Sequence, residues 1–349
     1  MKRSGNLFKR IVDLENLQVA DAIARKGKKN QYGIRVHDEN RDSNILELQG
    51  SLLNKTYRTS PYTTFFVYEP KEREVFRLPY YPDRITHHAI MNVLEEIFVR
   101  SFTADTYSCI KGRGIHLAIR NLKKALRDQA GTVYCLKLDI KKFYPSVDHD
   151  ILKSLLRRKF KDPDLLWLLD EIIDSAPGLP IGNYLSQYFA NFYLTYFDHW
   201  LKEVKKVKYY FRYADDLVIL SCDKQYLHSL LSDIKSYLSE HLKLQVKGNH
   251  QVFPVAARGI DFLGYVVYHS HTHLRKSIKQ NMARKFKKNP NRQCVASYMG
   301  WVKHCNGRHL VKKLLYEKVQ GHGDRPRTKG LYRRQEKRRL APESNDNSS

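Results

Sequence analysis

The sequence predicts an α+β fold, and three observations carry that prediction. Residues 133–140 alternate cleanly, with Leu136, Leu138 and Ile140 opposite Lys137 and Asp139, which is strand periodicity. Tyr209-Tyr210-Phe211-Arg212 and Leu217-Val218-Ile219-Leu220 flank a short acidic break, Tyr213-Ala214-Asp215-Asp216, and read as strand–turn–strand. Much of the remaining chain has apolar residues at helical spacing.

Residues 1–60 look helical, mixed and charged, with apolar spacing around Leu14–Leu17 and Ile45–Leu48 and a Lys/Gly-rich break near Gly27. From Pro61 the pattern turns extended. Thr64–Tyr68 and Val75–Leu78 form a hairpin, with Glu69–Glu74 at its turn and basic side chains near its tip. A helix opens at Asp83 and runs to about Phe98, and residues 115–128 form a basic amphipathic helix. After the strand at 133–140, helices cover about 148–175. Pro177–Gly182 is a loop, and one long helix runs from about Leu185 to Val204. Beyond the acidic hairpin lie a helix at 225–240 and two short strands, Leu242–Val246 and Phe262–Tyr268. From Leu274 the chain is helical and strongly basic, and past Gly321 it reads as a disordered basic, then polar, tail.

Lys and Arg number 62 against 36 Asp and Glu, a net charge of +26 spread along all 349 residues. Such an excess implies a polyanionic partner, and nucleic acid in a basic groove fits better than one sticky arm. No apolar run is long enough to span a bilayer, and the N-terminus lacks a signal peptide. Cys109, Cys135, Cys222, Cys294 and Cys305 show no C-x-x-C spacing, which argues against zinc or a disulfide framework and suits a reducing cytosol. The length allows two or three subdomains.

Adjacent carboxylates at a hairpin tip repel unless something positive sits between them. Alone, Asp215-Asp216 is ordinary turn chemistry, and Asp139 alone is a solvated polar-face residue. If the Asp139 strand pairs beside the hairpin, three carboxylates meet at one sheet edge. They could then hold two divalent ions roughly 3.5–4 Å apart, as in two-metal phosphoryl transfer. Hard oxygen ligands suit Mg²⁺, with Mn²⁺ as substitute. Two other motifs carry less. His269-Ser270-His271-Thr272-His273 reads as a polar turn, and Lys111-Gly112-Arg113-Gly114 as a loop before a helix.

Four ordered segments resemble the reverse transcriptases. Leu138–Asp148 is similar to their first catalytic-Asp motif, and Leu179–Gln187 to the loop and helix under the incoming base. Tyr213-Ala214-Asp215-Asp216 resembles the paired-Asp motif, and Gly259–Tyr265 the primer grip. The match covers about residues 55–320 and implies a right-hand polymerase. In that scheme 1–60 is a helical extension, 61–130 fingers, 131–150 the first part of the palm, and 151–177 fingers and palm helices. Residues 178–270 complete the palm, 271–320 are the thumb and 321–349 the tail. By resemblance, Asp139, Asp215, Asp216 and the Ile140 carbonyl hold the metals. Lys71 and Arg73 meet the triphosphate, unless they are merely a solvated turn. Tyr144 is a steric gate selecting deoxynucleotides, with plain core packing as its alternative. Ile181, Gly182 and Gln187 border the nucleotide, Lys247 donates a proton to pyrophosphate, and Phe262, Leu263, Gly264 and Tyr265 grip the primer. Lys276, Lys279, Arg284, Lys285, Lys287 and Lys288 follow the duplex backbone, which makes binding salt dependent.

Many reverse transcriptases place Gln where this chain has Ile181 and Pro where it has Gln187. The version here resembles that of diversity-generating retroelements, as do Tyr68-Glu69-Pro70-Lys71 and Gln251–Val255. The resemblance implies copying of a template RNA into cDNA from a primer, using deoxynucleoside triphosphates, with errors at template adenines. Losing an amide contact removes discrimination of about 1–3 kcal/mol; the alternative is a packing variant in an accurate enzyme. The chain is expected to leave no room for an endonuclease or large DNA-binding domain; by the same resemblance, a small basic accessory variability protein is expected, in a prokaryotic or phage setting and in the cytoplasm. A defence-associated or group II intron-like enzyme is the alternative, followed by a non-catalytic nucleic-acid-binding protein.

Overall fold

A computed structural model describes residues 3–28, 30–68, 72–288 and 291–321. Lys71 and the tail beyond 321 lie outside the described residues. The chain divides into two compact units, residues 1–118 with 128–254, and residues 119–127 with 255 onward.

The first unit opens with α1 (Phe8–Ile11), α2 (Leu14–Ala24), α3 (Tyr32–Glu39) and α4 (Arg41–Leu53). Their apolar faces, including Leu17, Ile34, Ile45 and Leu48, are buried with Ile90 and Leu94 of α5 (Ile85–Ser101). An antiparallel hairpin, β1 (Thr63–Val67) and β2 (Arg73–Arg77), precedes α5 and is exposed along β1. Next comes α6 (Ile115–Ala125), whose residues from Ile119 on belong to the second unit, and β3 (Tyr134–Asp139) follows it. The 148–175 region is two helices, α7 (His149–Lys159) and α8 (Pro163–Ile173). Each starts where an Asp side chain accepts a backbone N–H: Asp148 from Ile151 at 3.0 Å, Asp162 from Leu165 at 3.3 Å.

The single helix expected over 185–204 is broken. α9 (Tyr184–Tyr193) stops at Leu194, α10 (Thr195–His199) follows, and a wide π-type turn spans Trp200–Val204. The Thr195 hydroxyl donates back to the Asn191 carbonyl at 3.1 Å, a local bond that loosens the helical ladder at the break.

The central sheet is antiparallel with order β4-β5-β3-β6, adding β4 (Tyr209–Tyr213), β5 (Asp216–Ser221) and β6 (Gln251–Pro254). α11 (Lys224–Leu242) crosses between β5 and β6. The strand expected at Leu242–Val246 is absent. Lys243 takes φ +51° and closes α11, and Val246 makes only an isolated bridge to Ile140. The strand that pairs with β3 is the later Gln251–Pro254.

The second unit holds α12 (Val255–Arg258) and a meander of β7 (Ile260–Phe262), β8 (Tyr265–Val267) and β9 (Thr272–Leu274). Helices α13 (Lys276–Lys288), α14 (Arg292–Val302) and α15 (Arg308–Gly321) complete it. The strand expected over Phe262–Tyr268 is interrupted at Leu263 and Gly264. Both have positive φ, +50° and +87°, the sign pattern of a type I′ hairpin turn. A Cβ on Gly264 would stand 2.7 Å from Ile278 and Trp301, so the turn lies flat against α13 and α14. Among the described residues no helix is long and apolar enough to cross a membrane.

Candidate active site

β3 lies between β5 and β6, and its register sets Asp139 directly opposite Asp216. Cross-strand partners project to one face of a sheet, so the pairing places both carboxylates on the same side. Asp215 sits in the two-residue turn between Tyr213 and Asp216, with Ala214 at φ +53°. A positive φ at the first central position is the type II′ pattern, which glycine adopts freely and alanine at a cost of about 1–2 kcal/mol. The Ile140 N–H donates to the Asp215 carbonyl at 3.1 Å, stitching turn to strand.

Burial raises the Asp215 carboxyl to about 6, and the neighbouring Asp139 carboxylate, hydrogen-bonded to it, adds to the rise; Arg73 opposes it. Lys137 Nζ stands 3.8 Å from Asp216 Oδ1, and Lys247 Nζ stands 3.7 Å from Asp139 Oδ2. The Lys247 N–H also donates to the Asp139 carbonyl at 2.8 Å, so its backbone is fixed beside the acid.

The 177–182 loop is moored at both ends. Leu179 N–H donates to the Tyr144 carbonyl, and Phe76 N–H of β2 donates to the Ile181 carbonyl, each at 2.8 Å. His149 Nε2 bonds the Gly178 carbonyl at 2.8 Å. Gly182 has φ +120°, and a Cβ there would stand 2.4 Å from the Phe76 carbonyl. Gly182→Ala should therefore push the loop off β2, costing about 1–3 kcal/mol; a thermal melt unchanged from wild type would refute that contact. Tyr144 is half-buried, and its hydroxyl is pushed well above its ordinary range by burial, then by Cys109 and Asp215 nearby. Gln187 is half-buried on α9. In the second unit, Phe262 and Tyr265 are fully buried, and the Tyr265 hydroxyl donates to the Trp301 carbonyl at 3.0 Å. Their side chains serve packing; in the turn between them Leu263 is half-buried and Gly264 is buried.

Residues 70–267 match the family described as reverse transcriptase (RNA-dependent DNA polymerase). The chain belongs to the reverse transcriptase family. Protein YkfC of Escherichia coli K12 is 25% identical over 266 residues, covering 62% of this chain and 69% of YkfC. The group II intron-encoded protein LtrA of Lactococcus lactis is 23% identical over 177 residues, 47% of this chain but 29% of LtrA. Nuclear intron maturase 4 of Arabidopsis thaliana is 29% identical over 150 residues, 39% of this chain and 18% of the maturase. The chain thus spans less than a third of the intron-encoded relatives it matches. The apo telomerase of Candida tropicalis superposes with TM-score 0.47 at 12% identity, over 80% of this chain and 63% of the telomerase.

The reverse transcriptase has the α+β architecture expected of it, with helices around antiparallel sheets, and its matched domain is an RNA-directed DNA polymerase domain. Among the described residues no three His, Cys, Asp or Glu side chains stand together as a ready-made metal site. The donor chemistry nevertheless fits divalent cations. Asp139 and Asp215 are in contact at the cost of a raised pKa, which a cation between them would relieve. Asp216 lies across the strand and the Ile140 backbone is bound to the turn.

The raised Asp215 pKa carries two signs. In the metal-free reverse transcriptase this group's stabilising contribution is full below the unfolded value near 3.8 and is lost as pH rises through about 6. Metal binding runs the opposite way, because a protonated Asp215 is a poor ligand. Mn²⁺ affinity followed by electron paramagnetic resonance should fall as pH drops through about 6; affinity flat from pH 5 to 7.5 would contradict the coupling.

Three neighbours of this site escaped the sequence reading. Lys137 entered that reading only as part of the polar side of the strand, and His149 only as part of the helical stretch 148–175. Arg212 left a signal, a lone charge in the apolar run Tyr209-Tyr210-Phe211.

Proposed function

We propose that this chain is an RNA-directed DNA polymerase that copies a template RNA into cDNA, with low fidelity at template adenines, as part of a diversity-generating retroelement. The polymerase reading rests on the pairing of Asp139 with Asp216 beside the Asp215 turn. Mg²⁺ held there by Asp139, Asp215, Asp216 and the Ile140 carbonyl would activate the primer hydroxyl and steady the leaving pyrophosphate. The attacking 3′ oxygen forms a bond to the α-phosphorus as the bond to pyrophosphate breaks. In this reading Lys247, whose ammonium stands beside Asp139, gives the leaving group its proton. Arg73 of β2, together with Lys71 shortly before it in the sequence, receives the triphosphate, and Tyr144 excludes a 2′-hydroxyl. Residues 61–130 act as fingers, 131–150 and 178–270 chiefly as palm, and 271–320 as thumb, with the Leu263–Gly264 turn at the primer.

The mutagenic reading rests on one observation. Ile181, an aliphatic residue, occupies a loop hydrogen-bonded both to the Tyr144 carbonyl and to β2. Without an amide there, discrimination near the sugar and base relies on shape. Gln187 on α9 supports the same assignment. Sequencing cDNA made on the native RNA tests it: adenine errors should exceed those at other bases and fall with Ile181→Gln. Equal error rates at all four bases, or no response to that substitution, would sink the mutagenic reading while leaving the polymerase intact. The similarity to LtrA and to an intron maturase favours a second reading, an intron-like reverse transcriptase copying accurately. A small basic accessory protein and a cytoplasmic setting in a prokaryote or phage belong to the first reading. Co-purification with such a protein would distinguish them further.

A further inference from the structure

Arg212 is fully buried on β4, immediately before the Tyr213-Ala214-Asp215-Asp216 turn, and so is its ion-pair partner Asp198 of α10. Arg212 Nε donates to both Asp198 oxygens at 2.8 and 3.0 Å, and Nη2 to Asp198 Oδ2 at 2.6 Å. Asp198 also accepts from the Tyr210 hydroxyl at 2.7 Å and from Thr106 at 3.1 Å. That leaves Nη1, which donates to Asn191 Oδ1 at 3.1 Å and to the Ala214 carbonyl at 3.2 Å. The backbone is pinned as well, since Arg212 N–H donates to the Asp105 carbonyl and Tyr107 N–H to the Arg212 carbonyl.

A buried ion pair is a weak way to stabilise a core, because desolvation offsets most of its Coulombic gain. Something other than stability should explain this one. The Ala214 carbonyl belongs to the peptide group whose nitrogen is that of Asp215. Fixing it fixes the plane from which Asp215 departs. The following plane is fixed by Ile140 N–H on the Asp215 carbonyl. Ala214 at φ +53° is a conformation that the surrounding structure must enforce.

We propose that Arg212 is the positioning residue of the acidic turn: held by Asp198, it grips the Ala214 carbonyl and thereby aims the Asp215 carboxylate toward Asp139. Arginine is suited to this because its planar fork reaches Asp198, Asn191, Thr106 and the Ala214 carbonyl at once, which an ammonium cannot do in that geometry.

The assignment rests on the polymerase reading, and the test separates the two. Arg212→Lys keeps a cation for Asp198 but loses the fork. Asp198→Asn with Arg212→Met removes both charges while keeping an acceptor for Tyr210 and Thr106. Each is compared with wild type and Asp215→Ala by thermal melt, by single-nucleotide incorporation on a primed RNA, and by Mn²⁺ binding. The expected result is a cooperative native melt and kcat lowered roughly 10- to 100-fold, as for a misplacement near 1 Å. KM for primer–template should be unchanged and Mn²⁺ affinity reduced. Folded variants with wild-type kcat and Mn²⁺ affinity would overturn the proposal, and so would failure of both variants to fold, which would make Arg212 a folding residue only. If wild-type protein incorporates nothing, the polymerase reading fails by itself, and Mn²⁺ affinity still decides the role of Arg212.

Discussion

Asp215→Ala is expected to remove nucleotide incorporation on a primed RNA template, with a loss of at least roughly 10²- to 10³-fold at saturating Mg²⁺. The carboxylate occupies the turn, touches Asp139 and lies within the field of Arg73, which under the proposed chemistry is where charge is balanced during transfer. Its removal should not harm the fold. A buried acid whose pKa is raised by burial and by a like charge is a net liability to the metal-free protein, and alanine relieves it. The melting temperature should therefore hold or rise while incorporation disappears. Asp215→Asn, close in shape and uncharged, should lose as much. Primer extension and a thermal melt on the same preparations check both halves, and equal incorporation by the variant would remove the metal assignment.

Asp198→Ala should do the reverse, damaging the fold first. It strands the Arg212 guanidinium in the interior and leaves Tyr210 and Thr106 without that acceptor. Breaking a buried pair by deleting one partner costs about 3–5 kcal/mol, which lowers the melting temperature by on the order of 10 °C. Asp170→Ala is the control. Asp170 pairs with Arg157 at the surface, and such pairs contribute about 0–1 kcal/mol. Denaturant titration of the two variants should differ several-fold in effect, and a similar small loss in both would mean that the interior pair is solvated.

What the sequence made legible follows from periodicity and order. β3 was readable from its alternation and β4 and β5 from runs of aromatic or aliphatic residues, and the acidic turn stood out between β4 and β5. The pairing of Asp139 with Asp216 then needed only that β3 lie next to β5. Three errors share a physical cause, a local backbone choice decided by tertiary bonds. Leu242–Val246 looks apolar enough for a strand, yet Lys243 turns left-handed and the pairing passes to Gln251–Pro254, whose Gln and Pro concealed it. The helix after Leu185 breaks where Asn191 and Thr195 have their own partners. Leu263 carries a positive φ that no propensity for leucine suggests. Arg212 shows the same limit at the site itself. Its charge was visible, whereas its donor network joins Asn191 and Asp198 to Thr106, which lies 106 positions from Arg212 in sequence.

The strap from Leu179 to Ile181 has a consequence for how such an enzyme changes over generations. One end hangs from the carbonyl of Tyr144 and the other from the N–H of Phe76, with two residues' travel between them. Slack introduced anywhere on the strap reaches both moorings. If Tyr144 judges the sugar and Ile181 the base, accuracy in one is not inherited separately from accuracy in the other. Variants selected for looser base choice should then drift in their tolerance of ribonucleotides, and a lineage restoring one would restore both.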